Sequence, residues 1–159
     1  MKKTKALDVL IRMIDEGFNQ RAWHGPNLRS SIRGLTARQA AWRPSQNRHN
    51  IWENVVHCAY WKYVVRRRIL GEKKGTFPVE GSNWFKRPQE LTESAWKKDV
   101  RLLEAMHKSL SDTVRRLKPS DLRKKWGSWS AYSTISGIAM HDVYHAGQIR
   151  LLRRMIKRK

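Results

Sequence analysis

The sequence predicts an all-α protein, an antiparallel four-helix bundle with extra short helices in the first connection. Three observations lead to this fold class: four long segments have apolar residues at helical spacing, Gly and Pro fall between them, and strand patterns are nearly absent. The chain has 159 residues, 40% of them hydrophobic. This length fits one domain, residues 1–159, with its own core.

The first long helix is predicted over residues 5–23, where one face carries the apolar side chains Leu7, Leu10, Ile11, Ile14 and Phe18. Two short helical pieces follow in the first connection. One covers residues 27–35. The other begins at Thr36, which forms a capping-box pattern with Gln39.

The second long helix is predicted over residues 51–70. Asn50 and Glu53 form an N-x-x-E cap at its start, and Gly71 ends it. Residues 72–91 contain two Gly and two Pro and are predicted to form a loop. This loop carries an aromatic cluster of Phe77, Trp84 and Phe85.

The third and fourth long helices occupy the C-terminal half of the chain. Thr92 caps a helix predicted over residues 92–117. After a polar connection, the last helix is predicted from about Thr134 to the end of the chain, with Ser133 or Thr134 as its cap.

The chain carries an unusually large positive charge. Lys and Arg number 34 and Asp and Glu number 13, which gives a formal net charge of +21. Such an excess of positive charge is compatible with binding to a nucleic acid, an acidic membrane surface or an anionic substrate. It is equally compatible with a solvated surface that carries cations near helix C-termini. The basic residues near predicted helix ends are Arg66, Arg67, Arg68, Arg115, Arg116, Arg153, Arg154, Lys157, Arg158 and Lys159.

Cysteine usage and hydropathy predict a cytoplasmic protein. Cys58 is the one cysteine, so no internal disulfide can form and a reducing compartment is the simple interpretation. Charged residues interrupt the N-terminal apolar run, which we interpret as an amphipathic helix and not a signal sequence. No apolar stretch approaches the roughly 20 residues of a membrane span, so we expect no membrane partner.

Three histidines form the candidate site. His141 and His145 stand four residues apart on the apolar face of the last helix, so both imidazoles leave one side of it. Such a pair alone is a weak signal, because a core histidine satisfied by a hydrogen bond is the usual finding. His57 lies in the middle of an apolar segment of the second helix. Together the three imidazoles would make a metal site with open positions for water or substrate.

The type of ligand limits which metal ions the site is expected to bind. Three imidazoles suit Zn, Ni, Fe or Cu better than Mg or Ca, and we take Zn as the default. Mn is an alternative if carboxylate or water fills the remaining positions. Such a metal lowers the pKa of a bound water or thiol and so makes a nucleophile at neutral pH.

Glu53, His24 and Gln148 each have a functional and a structural interpretation. Glu53 is a candidate base, ligand or ligand-orienting acceptor, although its complete cap pattern favours a structural role. His24, beside Trp23, is a candidate residue at the mouth of the site, or a structural histidine at a helix end. Gln148 either orients a ligand or packs. Asp142 points about 100° away from His141 and is not expected to be a ligand.

Aromatic side chains are candidate walls of a substrate pocket. Trp52, Trp61 and Tyr144 lie near the predicted histidines in sequence. Aromatic residues at helical spacing are more often core than pocket, and the sequence leaves both interpretations open.

The sequence resembles the DinB-like superfamily (DinB/YfiT-like metalloenzymes) over nearly its whole length. The histidine segment HNIWENVVHCAYWKYVVRRRILG, the closing GIAMHDVYHAGQIRLLRR and the AWHGPNL segment carry the likeness. The ARQAAWRP stretch and the Phe-Pro…Asn-Trp-Phe loop fit it too.

This resemblance implies a four-helix bundle, commonly a homodimer, with a divalent metal held by His57, His141 and His145. Characterised relatives are thiol S-transferases that use low-molecular-weight thiols, and a thiol-dependent isomerase. The resemblance therefore favours an enzyme acting on a small molecule by thiol S-transfer, with hydrolysis as the alternative reaction.

Two other functions compete with a metalloenzyme. The first is nucleic-acid binding by a basic helical protein. Its cationic surface would bind the phosphates, and exposed Trp side chains would stack on the bases. No nucleic-acid recognition motif is visible in the sequence. The second is a bundle without active chemistry, whose metal is vestigial or absent.

Overall fold

The computed structural model describes residues 5–73, 75 and 77–156. Over these residues the protein is predominantly helical, as the sequence predicts. The helices are α1 (Ala6–Phe18), α2 (Leu28–Ile32), α3 (Ala37–Ala41), α4 (Ile51–Ile69), α5 (Glu93–Arg115) and α6 (Ala131–Ile156), with a 3-10 turn at Pro119–Arg123 and two short strands, β1 (Lys125–Trp126) and β2 (Trp129–Ser130). The predicted C-terminal cations Lys157, Arg158 and Lys159 lie outside the described residues.

The four long helices α1, α4, α5 and α6 pack around apolar side chains. Helix α4 contacts both α5 and α6, and α1 contacts α6 and α5. Residues 51–59 of α4 are all buried, which makes this half of α4 the central element of the fold. The two predicted histidine-bearing helices are therefore direct neighbours.

The predicted capping boxes are present. Thr36 Oγ1 accepts from the Gln39 backbone N–H, and the Gln39 side chain accepts from the Thr36 backbone N–H. Asn50 and Glu53 exchange the same pair of bonds at the start of α4. Each cap satisfies N–H groups that have no partner inside the helix, so the sequence placed the starts of α3 and α4 correctly.

Three predicted helix limits differ from the structure by two to five residues. Helix α1 ends at Phe18, well before residue 23, because the chain turns at Asn19. Helix α5 ends at Arg115, two residues early. Helix α6 begins at Ala131, ahead of the predicted cap, because Ser130 at the end of the small hairpin accepts from the Ser133 backbone N–H.

The segment 72–91 forms the predicted loop within its described residues. It returns across α4, where Phe85 is buried against Tyr60 and Phe77. Among the described residues, none of the helices combines the length and apolar character needed to cross a bilayer.

Candidate metal centre

Three histidine side chains converge between α4 and α6. His57 projects from α4, and His141 and His145 project from α6 one turn apart. The Nε2 atoms of His57 and His141 are 3.1 Å apart, and one ring nitrogen from each histidine lies within 4.8 Å of the others. His57 and His145 are buried. The structure thus brings together the three histidines that the sequence singled out, in a group that can hold a metal ion.

Two asparagine oxygens fix the orientation of two of these rings. His57 Nδ1 lies 2.8 Å from the backbone carbonyl oxygen of Asn83, and His145 Nδ1 lies 2.8 Å from Asn54 Oδ1. The Asn54 amide is itself oriented, because its Nδ2 donates to the Asn50 carbonyl at 2.7 Å. Both acceptors require a proton on Nδ1, so the lone pair of each ring is on Nε2.

Asn83 holds its carbonyl in place through an unusual backbone conformation. Its φ is +60°, in the left-handed region that Asn tolerates better than most residues. Its side-chain oxygen accepts from Trp61 Nε1 at 2.9 Å. The loop before α5 is therefore anchored to α4 at the position where it meets His57.

Burial keeps the three rings neutral near pH 7. Desolvation, followed by the neighbouring His145 and His57, lowers the pKa of His141 to about 3. Burial and His57 lower the pKa of His145 to about 4, against a hydrogen bond with Gln148 that raises it. Burial also lowers the pKa of His57, which the bond to Asn83 opposes. Neutral imidazole is the form that binds metal.

Trp84 covers one side of the site. Its indole stacks on the His57 ring at 3.9 Å between centroids and on the His49 ring at 3.6 Å. The result is a three-ring stack that runs from the triad toward the protein surface, where the His49 side chain is half exposed. Trp84 is thus a wall of the site.

The predicted aromatic walls divide into site and core. Trp61 packs edge-on against His57 with centroids 6.4 Å apart, and Tyr144 packs edge-on against His145 at 5.0 Å. Trp52 is fully buried, and its Nε1 donates to Asp99 Oδ2 at 2.7 Å. Of the three, Trp52 belongs to the core, as the alternative interpretation held.

The third histidine has a different environment. His141 Nδ1 is buried and has no hydrogen-bond partner among the described residues, and neither has Asp142 Oδ1. Asp142 forms a fully buried ion pair with Lys62 through its other oxygen. Cys58, Asp142 and His141 also place potential ligand atoms within 4.8 Å of one another. Asp142 therefore pairs with Lys62 and also has a carboxylate oxygen near a His141 ring nitrogen, and the expectation that it is not a ligand stays a prediction.

Glu53 accepts hydrogen bonds from several neighbouring groups. Arg43 donates to it at 2.5 and 2.8 Å, and His49 Nδ1 lies 3.2 Å from Oε2. Burial opposes its ionisation, but the bonds from Arg43, the Arg87 backbone N–H and His49 lower the pKa of Glu53 below its usual value. The structure therefore shows the capping role of Glu53, and its role as a base stays a prediction.

The remaining predicted site residues lie at different depths. His24 and Trp23 are exposed in the segment between α1 and α2, and Trp23 is fully solvent-accessible. Gln148 is half-buried and raises the pKa of His145, and its predicted orienting role stays a prediction. A catalytic role for His24 stays a prediction.

A groove of about 480 Å³ adjoins the triad. It shares Asn54, Trp84 and Gln148 with the surroundings of His145 and His57. The other lining residues are Pro44, Ser45, Arg48, His49, Leu151, Leu152 and Met155. Pockets of this size can hold small molecules, so the groove is a candidate binding site beside the histidines.

Fold and site define the class of this protein: a helical protein with a three-histidine candidate metal centre between two packed helices. The sequence model of the DinB superfamily matches residues 20–149, and the chain belongs to that superfamily. Comparisons with curated proteins and with solved structures gave no significant match.

The donor set fits a divalent transition metal. Two Nε2 lone pairs are fixed by Nδ1 hydrogen bonds, and His57 Nε2 and His141 Nε2 approach each other without another group between them. Neutral imidazoles that face one another in this way are satisfied by coordination, whereas in its absence one of them must donate to the next.

Sequence reasoning missed the residues that support the triad. Asn54 carried a usable signal, since it lies three residues before His57 and near its face of α4. Asn83 and Trp84 were noted only as part of the aromatic loop and of its Asn-Trp-Phe segment. Their contacts with the triad were missed, because residues in a loop have no period from which contacts follow. Lys62 was missed because a lone lysine on a helix is normally exposed.

Proposed function

We propose that this protein is a divalent-metal-dependent enzyme that acts on a small molecule, with His57, His141 and His145 as the protein ligands. The observation that carries this proposal is the fixed orientation of the rings, in which Asn83 and Asn54 accept from Nδ1 and leave Nε2 for a metal. Zn is the default metal, and Ni, Fe and Mn are the other candidates.

Three protein ligands leave open coordination positions, as catalytic sites do. When bound, a divalent metal supplies a Lewis acid that lowers the pKa of a water or thiol at such a position. Trp84 and Trp61 then shield the site from bulk water on the α4 side, and the adjoining groove admits the second reactant.

We propose thiol S-transfer as the reaction, with a low-molecular-weight thiol as the co-substrate. The sulfur forms a bond to an electrophilic carbon, the bond from that carbon to its leaving group breaks, and the thiol proton passes to a base. Glu53 and His24 are the candidate bases. Hydrolysis, with water in place of the thiol, is the alternative on the same residues.

Activity assays separate the two reactions. Metal-loaded protein is given chlorodinitrobenzene with and without a low-molecular-weight thiol, and separately nitrophenyl acetate. Thiol-dependent turnover that is lost in His57→Ala and retained in His107→Leu supports S-transfer, since His107 is a buried histidine outside the triad. Turnover of the ester alone supports hydrolysis. Activity that survives in His57→Ala contradicts a reaction at the triad.

Nucleic-acid binding is the second candidate function, and exposed aromatics near cations favour it. Trp129 is 66% exposed in the small hairpin, next to the exposed Lys124 and Lys125. An exposed indole beside lysines suits stacking on a single strand. A gel shift with a single-stranded oligonucleotide at physiological salt tests this, and binding that is absent there removes the candidate.

Several wider features belong to the same proposal. The four long helices form an antiparallel four-helix bundle in one domain, residues 1–159, with the two short helices in its first connection. The protein acts in the cytoplasm, where its buried Cys58 stays a free thiol. It forms a homodimer, which light scattering on the purified protein tests directly.

A further inference from the structure

Among the described residues, the lining of the groove beside the triad contains one arginine together with polar and apolar groups, and no acid. Arg48 and His49 come from the segment before α4, and Leu151, Leu152 and Met155 come from α6. Glu53 lies behind His49, but it is buried and paired with Arg43. The groove therefore presents positive charge that the protein does not neutralise from within.

Arg48 is the free cation of this groove. Its side chain is exposed and makes no hydrogen bond or ion pair within the described residues, although its backbone carbonyl accepts from Arg43 at 2.7 Å. That bond fixes the backbone from which the guanidinium projects. A guanidinium presents a planar fork of donors that matches a carboxylate.

The part of the groove that α6 lines is apolar, and two of its side chains are solvent-exposed. Leu151 is 61% exposed and Met155 is 40% exposed, and the indole of Trp84 lines the same groove. Exposed apolar side chains in a concave site are a binding surface for hydrocarbon. Asn54 and Gln148 lie deeper and connect this surface to His145.

We propose that this groove binds a small carboxylic acid with an apolar body, its carboxylate on Arg48 and its hydrocarbon against Leu151, Met155 and Trp84. The ligand then reaches toward His145 past Asn54 and Gln148. As the substrate class of the site, this inference rests on the proposed function, but binding itself needs no metal. A single guanidinium fits a carboxylate better than a phosphate dianion, which normally takes several donors.

Calorimetric titration with octanoate tests the proposal on metal-free and metal-loaded protein. We expect octanoate to bind, with octylamine and octanol at least tenfold weaker. Arg48→Gln weakens octanoate about tenfold, the usual size of a lost charged hydrogen bond, and Arg48→Lys weakens it less. Leu151→Asn weakens it as well. Arg123→Gln, which removes an exposed arginine outside the groove, leaves the affinity unchanged.

Three results would overturn the inference: no octanoate binding, equal losses in the Arg48 and Arg123 variants, or tighter binding of octyl phosphate than of octanoate. Metal content is measured on the same samples. If the protein binds octanoate but takes up no metal, the proposed function is refuted and the carboxylate site is supported. If it takes up metal but does not bind octanoate, the carboxylate site is refuted and the proposed function is not.

Discussion

At the scale of single residues, the hydrogen bonds of Nδ1 decide what the candidate centre can do. A ring held through Nδ1 cannot turn away from the other two, and it remains the correct tautomer for coordination. Asn54 provides this for His145, and it is held in turn by the Asn50 carbonyl. Removing Asn54 should therefore weaken the metal site without touching a ligand.

We expect Asn54→Ala to lower metal affinity about 10- to 100-fold, the usual effect of losing an oxygen that orients a ligand. Asn54→Asp keeps the acceptor and should retain most of the affinity. Asn27→Ala, which removes a buried side chain with comparable bonds at the start of α2, serves as the control. Competition with a chromogenic chelator measures all three, and equal affinity in the Asn54→Ala and Asn27→Ala variants would contradict the account.

The Lys62–Asp142 pair gives a second prediction at this scale. Both side chains are about 1% exposed, and Lys62 Nζ also lies 5.2 Å from the Phe18 ring centroid. Removing one partner leaves a buried charge alone, so Lys62→Met or Asp142→Leu should each lower the free energy of unfolding by about 3–5 kcal/mol.

The double variant Lys62→Met/Asp142→Leu should be much less destabilised than the sum of the two single changes, because no unpaired charge remains. Urea denaturation of the four proteins completes this cycle. Additive losses would show that the two groups do not depend on each other.

At the scale of elements, the starts of α3 and α4 followed from the sequence, whereas the start of α6 and the loop contacts did not. Asn50 and Glu53, like Thr36 and Gln39, make bonds within one turn, so a local pattern was sufficient to place α3 and α4. The start of α6 depends on Ser130, which lies at the end of the small hairpin. No alternation of polar and apolar residues in the sequence predicted that hairpin.

The Asn50 cap is more than a local feature. Asn50 is fully buried, and its Nδ2 donates to the Arg87 carbonyl at 2.8 Å, which joins α4 to the loop that carries Asn83 and Trp84. Asn50→Ala should cost about 2 kcal/mol, the upper end for a helix cap, since a carbonyl in the interior also loses its donor.

Thermal or urea unfolding measures this loss. Thr36→Ala removes a cap in an exposed position and should cost less, about 1 kcal/mol. A smaller effect for Asn50 than for Thr36 would contradict the role of the Arg87 contact.

At the scale of the whole molecule, the predicted helical class and the convergence of His57 with His141 and His145 are confirmed. The prediction worked because two periodic helices each placed histidine on an apolar face, and apolar faces meet. The groove was beyond prediction, because Arg48 and Leu151 line it from distant parts of the chain, and no sequence period specifies that they come together.

Stability of the metal-free protein should fall as pH decreases below about 6.5. Folding lowers the pKa of His141 to about 3, of His145 to about 4 and of His107 to about 3. At a pH between these values and about 6.5, the unfolded chain therefore binds more protons than the folded chain does. The free energy of unfolding that these histidines contribute is fully present above about pH 6.5, the histidine pKa in the unfolded chain. It is lost as the pH falls toward the lower pKa values of the folded protein, by up to about 1.4 kcal/mol per pH unit for each histidine. Asp142, whose pKa burial raises, acts in the opposite direction.

Urea unfolding of metal-free protein at pH 7, 6 and 5 measures this dependence. His107→Leu should reduce the slope by about one proton, because it removes one of the depressed histidines outside the triad. Bound metal should steepen the pH dependence, since protons then compete with it for the three ligands. A stability that does not change between pH 7 and 5 would contradict neutral, buried histidines.

His57, His141 and His145 are expected to bind one metal ion together, and elemental analysis of tag-free protein measures this. We expect about one transition-metal ion per chain after reconstitution, lost in His57→Ala and in His141→Ala and retained in His107→Leu. Wild-type protein that takes up no metal, or single variants that keep it fully, would exclude a metal site at the triad and leave the three histidines as core residues.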